Sequence, residues 1–145
     1  MEAVAEPTLS SLLGSWRLVS EIVTFSDTGE CVAPHGGNPA GWMVLSTSGR
    51  IMFLFGKADR EPPVSEADQV GLFATMVAYT GKVRLDGAGR FLTTIDLAFN
   101  PALRGEQVRF FGLDGNRLTI RTPKQTIPIF GDRPLVVELV WQRES

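Results

Sequence analysis

The chain is organised around Leu13-Gly14-Ser15-Trp16-Arg17-Leu18-Val19-Ser20, close to its N-terminus. A glycine and a small polar residue precede a tryptophan, and apolar and polar residues then alternate, which is typical of a β-strand. A buried tryptophan needs a large apolar surface over its ring and a partner for its indole N–H. Leu139-Val140-Trp141-Gln142-Arg143, near the C-terminus, offers both. Pairing of the two segments would join the first strand to the last and close the sheet.

The composition is that of one globular domain with many turns. The chain has 145 residues, of which 43% are hydrophobic and 21% charged, enough for a single core or one small barrel. Fifteen glycines and nine prolines separate short apolar runs, which favours an all-β fold. We expect a flexible arm over residues 1–8 and one barrel domain over residues 9–145.

Charge and cysteine content exclude several classes of function. The net charge is −2, with acidic and basic residues interleaved, so we expect no nucleic-acid partner. The chain has a single cysteine, Cys31, so it cannot form an internal disulfide. One cysteine and one histidine are together too few ligands for a structural zinc site. We expect no metal and no cofactor. The first residues are acidic, unlike a signal peptide, and no apolar run reaches the ~20 residues that span a bilayer, so we predict a cytoplasmic protein.

The hydrophobic pattern predicts about eight short strands in an antiparallel up-and-down barrel. In the first strand, over residues 15–25, alternation places Trp16 and Ile22 on the buried face. One inserted helix is predicted over about residues 65–78, with Ser65 as its cap. Its apolar stripe is predicted to cover the outer face of the apolar hairpin at residues 41–55 and comprises Val70, Phe73, Ala74 and Val77.

Gly14-Ser15-Trp16 resembles the Gly-x-Trp signature of the lipocalin, or calycin, group. More closely, the whole chain is similar to the lipocalin-like domain proteins of bacteria and fungi, and the matching segments are 13–20, 38–39, 41–45, 48–50, 107–111, 114–119 and 139–143. The resemblance implies a small barrel with a central cavity, closed at its base by Trp16 under Arg143 or Arg121 in a cation–π contact. Relatives often carry histidines in the strand matching residues 91–97; this chain has Thr93 and Thr94, which weakens an acid–base role there.

The predicted interior combines apolar and polar side chains. Alternate residues of a strand face opposite sides, and one of the two possible orientations turns a set of apolar side chains inward: Met43, Phe53, Phe55, Phe91, Ile95 and Leu139. In the same orientation Tyr79, Thr93 and Arg109 add polar groups to the interior. The Tyr79 hydroxyl contacts either a ligand or a backbone carbonyl. Arg109 faces either inward, toward a ligand carboxylate or Asp96, or outward to solvent. His35 lies in a Gly/Pro loop and is predicted to be exposed.

Three functional hypotheses follow. The first is a barrel that binds a small hydrophobic or amphipathic molecule in its cavity without catalysis. The second is an isomerase, cyclase or hydratase of specialised metabolism, with Tyr79, Arg109 or His35 as an acid or electrostatic stabiliser. The third is a filled barrel that acts through its surface, as a homodimer around the apolar helix.

Overall fold

A computed structural model describes residues 8–144 as a closed eight-stranded antiparallel barrel with one α-helix, which confirms the predicted fold class. The predicted arm at residues 1–8 lies almost wholly outside the described residues. The elements are a 3₁₀ turn Leu9–Leu12, β1 Gly14–Phe25, β2 Cys31–Val32, β3 Ala40–Leu45, β4 Arg50–Gly56, α1 Glu66–Ala74, β5 Met76–Leu85, β6 Arg90–Ala98, β7 Gly105–Asp114, β8 Arg117–Arg121, a 3₁₀ turn Pro128–Phe130 and β9 Leu135–Arg143.

The barrel closes through the pairing of β1 with β9. The register runs from Trp16 opposite Arg143 to Phe25 opposite Leu135. Strand β1 also pairs with β3, strands β3 to β8 each pair with the next strand along the chain, and the two-residue β2 pairs only with the end of β1. We call the end that holds Trp16 and Arg143 the base, and the end that holds Phe25 and Leu135 the mouth.

The base is closed by the first turn of the chain. The indole N–H of Trp16 donates to the carbonyl of Leu12 over 3.0 Å. The guanidinium carbon of Arg143 lies 4.1 Å from the centroid of the Trp16 ring, and its two Nη atoms donate to the carbonyls of Leu13 and Ser11, each over 2.7 Å. Arg121 lies on the outer surface and pairs with Glu138. Arg143 therefore attaches the 3₁₀ turn to the last strand.

A bulge in β1 changes which of its side chains face the interior. The register passes from Leu18 opposite Trp141 to Ser20 opposite Val140, which leaves Val19 without a partner. Beyond it the inward positions are the odd-numbered ones, so Glu21 is buried and Ile22 is 37% exposed. The prediction that Ile22 is buried was wrong because one extra residue reverses the alternation.

The base half of the barrel is filled by its own side chains. The fully buried Trp16, Leu18 and Met43 lie there. A cavity of about 10 Å³, the size of a single water molecule, lies among them, and its lining comprises Leu12, Met43, Leu45, Ile51, Val83, Phe91, Leu118 and Ile120. A cavity of this size holds at most one water molecule.

The helix comes at the predicted place but is shorter and does not cover the hairpin. It ends at Ala74, since β5 begins at Met76 and takes Val77 into the sheet. None of its residues is buried. Arg60 secures its C-terminal end instead, with Nη2 donating to the carbonyl of Leu72 over 3.1 Å and Nη1 to that of Thr75 over 3.2 Å. Within residues 8–144, no helix is long and apolar enough to cross a membrane.

Replacement of Arg143 by methionine should lower the free energy of unfolding by about 2–4 kcal/mol, because it removes a cation–π contact and two charge-assisted hydrogen bonds. Urea denaturation followed by tryptophan fluorescence measures the change. The matched control is Arg121→Met, which removes an exposed ion pair and should cost less than about 1 kcal/mol. Equal losses in the two variants would contradict the assigned role of Arg143.

Candidate ligand-binding site

Four aromatic side chains form a continuous cluster inside the barrel. The Phe53 ring lies 4.8 Å from that of Tyr79 and 5.8 Å from that of Trp141, and the Phe55 ring lies 5.9 Å from Trp141, centroid to centroid. All four are inward-facing and buried. They come from β4, β5 and β9, so closure of the barrel is what brings Trp141 against Phe53 and Phe55.

Arg109 points into the barrel. Its neighbour Phe110 is exposed, whereas Phe111 is buried and its ring contacts that of Phe91 at 5.7 Å. Phe91 is also the cross-strand partner of Arg109, so the inward phase of β7 includes Arg109. Its Nη1 donates to the carbonyl of Val108 over 2.7 Å. Among residues 8–144, no carboxylate oxygen lies within 4.0 Å of the guanidinium.

Asp96, the predicted protein partner of Arg109, lies elsewhere. It is the unpaired residue of a second bulge, where β5 passes from Thr80 opposite Leu97 to Gly81 opposite Ile95. Its Oδ2 accepts from Nη1 of Arg50 over 2.7 Å on the outer surface. At this bulge a side chain on Gly81 would place its Cβ 2.2 Å from the carbonyl oxygen of Thr94, so the position requires glycine. Asp96 is therefore not the partner of Arg109, and among residues 8–144 no other carboxylate takes its place.

Tyr79, the only tyrosine, lies close enough to Arg109 for the two to interact electrostatically. Burial raises the pKa of the Tyr79 hydroxyl, and the positive charge of Arg109 opposes part of that rise. The hydroxyl therefore stays protonated near neutral pH and can donate a hydrogen bond. Arg109 and Tyr79 thus form a pair of donors that face the interior.

Two further buried polar atoms lack partners in the described part of the chain. They are Oγ1 of Thr93, in the middle of β6, and Nε1 of Trp141, on the aromatic surface. Burying such an atom without a hydrogen bond costs about 1–3 kcal/mol. The Thr93 hydroxyl can donate or accept a hydrogen bond, whereas the Trp141 indole N–H can only donate one.

A buried carboxylate–imidazole pair lies on the same side of the barrel and was not predicted from the sequence. Oε1 of Glu21 lies 2.5 Å from Nδ1 of His35, and both side chains are more than nine-tenths buried. The expectation that His35 is an exposed loop residue was wrong. The bulge at Val19 turns Glu21 inward, and the loop before β3 folds over the rim to meet it. No local pattern signals this contact.

The sequence pattern of a family described as a lipocalin-like domain matches residues 13–144. The chain belongs to this lipocalin-like domain family. No curated protein sequence matches the chain significantly. The lipocalin-like barrel supports ligand binding in general.

The residues predicted to contact a ligand lie in both halves of the lipocalin-like barrel. Phe53, Phe55, Tyr79 and Arg109 come together around the aromatic surface. Met43 and Phe91 line the small cavity of the packed base half. Leu139 is buried opposite Ile120, and Thr93 is buried on the inner face of β6. Ile95 is half-buried at the bulge opposite Gly81.

The mouth of the lipocalin-like barrel is bordered by the segment before β9. Phe130 packs edge-on against Phe25 at 5.3 Å between ring centroids. The guanidinium carbon of Arg133 lies 3.8 Å from the centroid of the same Phe25 ring, and two of its nitrogens donate to the Asp27 carboxylate over 3.0 and 3.1 Å. Arg133 beside Asp27 holds the pKa of that exposed carboxyl below its usual range. These contacts hold a short turn at the rim.

A second cavity of about 340 Å³ lies outside the barrel, between α1 and the loop that precedes it. Arg60 and charged loop residues line it, but the Arg60 guanidinium is already bonded to the end of α1. No group of three residues that could hold a metal ion occurs in the part of the chain that the structure describes. The cavity inside the barrel, in contrast, is lined by apolar side chains alone.

The single tyrosine makes the contact between Tyr79 and Arg109 directly measurable. Absorbance at the phenolate band should show ionisation of Tyr79 only above pH ~10, the ordinary value, because burial raises its pKa. In Arg109→Met the transition should move still higher, since the lost positive charge had stabilised the phenolate. Circular dichroism confirms that the barrel stays folded. An ordinary transition, or one that Arg109→Met leaves in place, would contradict the geometry.

Proposed function

We propose that the barrel binds a small amphipathic molecule with an apolar, preferably aromatic, body and a carboxylate or similar anionic end. The apolar body lies on Phe53, Phe55 and Trp141, and the anionic end accepts hydrogen bonds from Arg109 and Tyr79. The observation that carries the proposal is Arg109, a cation on the inner face of the barrel without a carboxylate neighbour among residues 8–144. A cation in such a place is stabilised by an anion.

The packed base half limits the size and place of the ligand. Burial of an aromatic body of about 200 Å² contributes roughly 5 kcal/mol at about 25 cal/mol per Å², before the cost of association is subtracted. The ligand is therefore small, on the order of one ring with a short side chain, rather than a long lipid. It enters at the mouth, past the rim segment that Phe130 and Arg133 attach to Phe25.

A cytoplasmic location forms part of this proposal. Cys31 is exposed and free among the described residues, a state that a reducing compartment maintains.

The outer face of the β3–β4 hairpin supports a second part of the proposal, a homodimer. Four large apolar side chains lie there as two cross-strand pairs, Trp42 with Leu54 and Val44 with Met52, each between 41% and 56% exposed. Flat apolar patches on single chains are commonly interfaces, and a two-fold axis requires a patch that complements itself. A second copy of the chain fits this face.

Light scattering during gel filtration tests the dimer. The wild-type protein should have a mass of twice 15.8 kDa, and Leu54→Glu should have a mass of 15.8 kDa because a charge cannot be buried in the patch. The control Val70→Glu changes an exposed apolar residue of α1 and should stay dimeric. A monomeric wild-type protein would contradict this part of the proposal.

Phenylacetate and its neutral amide, phenylacetamide, test the ligand class. Titration calorimetry should show phenylacetate binding about 10–100-fold more tightly, because a charge-assisted hydrogen bond contributes about 1.5–3 kcal/mol. In Arg109→Met the two compounds should bind equally, since only the apolar contacts remain.

The matched control is Arg84→Met, an exposed arginine of β5 that pairs with Glu106 on the outer face. It should keep the full preference for the acid. Equal binding of acid and amide to the wild-type protein would overturn the assigned role of Arg109. Absence of binding, together with a stable dimer, would favour a protein that acts through its surface.

A further inference from the structure

The loop between β2 and β3, which we call the His35 loop, comprises residues 33–39 and is attached to the barrel by one side chain. Its backbone makes one hydrogen bond, from the N–H of Gly36 to the carbonyl of Ala33 over 3.0 Å, and that bond lies within the loop. Among residues 8–144, the only hydrogen bond that joins the loop to another part of the chain is the one between His35 and Glu21. A segment with so few bonds opens at a low free energy.

The sequence of the His35 loop directs its imidazole toward the barrel. Pro34 and Gly36 occupy the second and fourth positions of the turn that begins at Ala33, where proline and glycine are favoured. His35 lies between them and is buried, whereas Pro34, Gly36 and Asn38 are exposed. A single imidazole therefore reaches inward from a loop that mostly faces solvent.

The imidazole lies against a side chain of the proposed ligand site. Nδ1 of His35 is 2.5 Å from Oε1 of Glu21, with 8% and 7% of the two side chains exposed. The His35 and Phe55 rings meet at 85°, with 6.2 Å between their centroids. Phe55 also contacts Trp141, and both rings belong to the cluster on which the apolar body of a ligand is proposed to lie. The imidazole thus covers part of the surface that the ligand needs.

We infer that His35 is an internal plug, which the His35 loop must withdraw from Glu21 and Phe55 before a ligand binds there. The inference rests on the proposed function and adds a step that regulates the same site. Because the inserted imidazole and the ligand exclude each other, the apparent Kd of the ligand equals its intrinsic Kd divided by the fraction of molecules with the loop open.

The carboxylate of Glu21 keeps the plug in place. A carboxylate inside an apolar barrel is stable only with a partner, and His35 supplies a charge-assisted hydrogen bond to it. Glu21 lies in the mouth half of β1, four positions before Phe25 at its end, so water that enters past the open loop takes the place of the imidazole. Opening therefore does not leave the charge both buried and unpaired.

Calorimetric titration with phenylacetate tests whether the imidazole competes with the ligand. Glu21→Gln combined with His35→Ala removes the plug without leaving an unpaired buried charge. This double variant should bind phenylacetate at least about 10-fold more tightly than the wild type, because no loop has to open first. The control Asn38→Ala changes an exposed residue of the same loop and should bind as the wild type does. Equal or weaker binding by the folded double variant would overturn the inference.

Nuclear magnetic resonance observes the plug directly, because His35 is the only histidine of the chain. In the untagged, ¹⁵N-labelled protein, the ring N–H that faces Glu21 should give one isolated signal that is protected from exchange with water. Saturating phenylacetate should abolish this protected signal, since the imidazole then lies in solvent. A signal that stays unchanged in the ligand-saturated protein would contradict the plug even if phenylacetate binds.

Exchange without ligand separates this inference from the proposed function. Arg143→Met should accelerate exchange of the slowest amides of β1 and β9, which need global unfolding, and leave exchange of the His35 ring N–H unchanged, because that proton exchanges by local opening of the loop. Equal acceleration of both would show that the loop opens only with the whole barrel, and would overturn the inference. This comparison decides if the double variant does not fold. If phenylacetate binds neither protein, the proposed function fails, and the exchange comparison alone decides whether the loop opens.

Discussion

The pairing of β1 with β9 is the contact on which the rest of this structure depends. It removes both long edges of the sheet and gives the chain an inside and an outside. Trp141 reaches the aromatic surface of β4 and β5 only because its strand lies beside β1. The base is sealed where the pairing begins, by Arg143 stacked on Trp16 and bonded to the carbonyls of Ser11 and Leu13. Packing of the base half leaves the middle and mouth of the barrel as the place for chemistry.

A single unpaired residue, Val19, determines which side chains of β1 beyond it face the interior. Without the bulge, Glu21 would face solvent and Ile22 would fill its place in the core. With it, a carboxylate enters an apolar interior, where it is stable only with a partner. His35 is that partner, and the pair draws the loop before β3 against the barrel. Bulges often turn a side chain toward a functional site in this way.

Much of the fold could be predicted from the sequence because a period of two is a strong signal in strands that are not interrupted. It placed Met43, Phe53 and Phe55 on one face, and those residues are buried. It failed at Ile22, since a bulge leaves no mark in a pattern of apolar residues. The stripe of α1 was equally misleading, because Val77 belongs to β5 and Arg60, not apolar burial, holds the helix end.

The polar part of the site was harder to predict, because it depends on contacts between distant segments. Fourteen positions separate Glu21 from His35, and their meeting depends on a bulge and a loop rather than on a motif. Arg109 lies between apolar neighbours on both sides, so the alternation of apolar and polar residues did not show whether its side chain points into the barrel or toward solvent. The burial of Phe111 and the exposure of Phe110 decide it.

We propose that an anionic end of a ligand contacts Arg109 inside the barrel. The most direct measurement is a crystal structure of the protein with 4-bromophenylacetate, in which anomalous scattering locates the bromine. We expect a bromine peak beside Phe53, Phe55 and Trp141, with the carboxylate within hydrogen-bond distance of Arg109. A bromine peak only on the outer face, or an interior ligand whose carboxylate points away from Arg109, would contradict it.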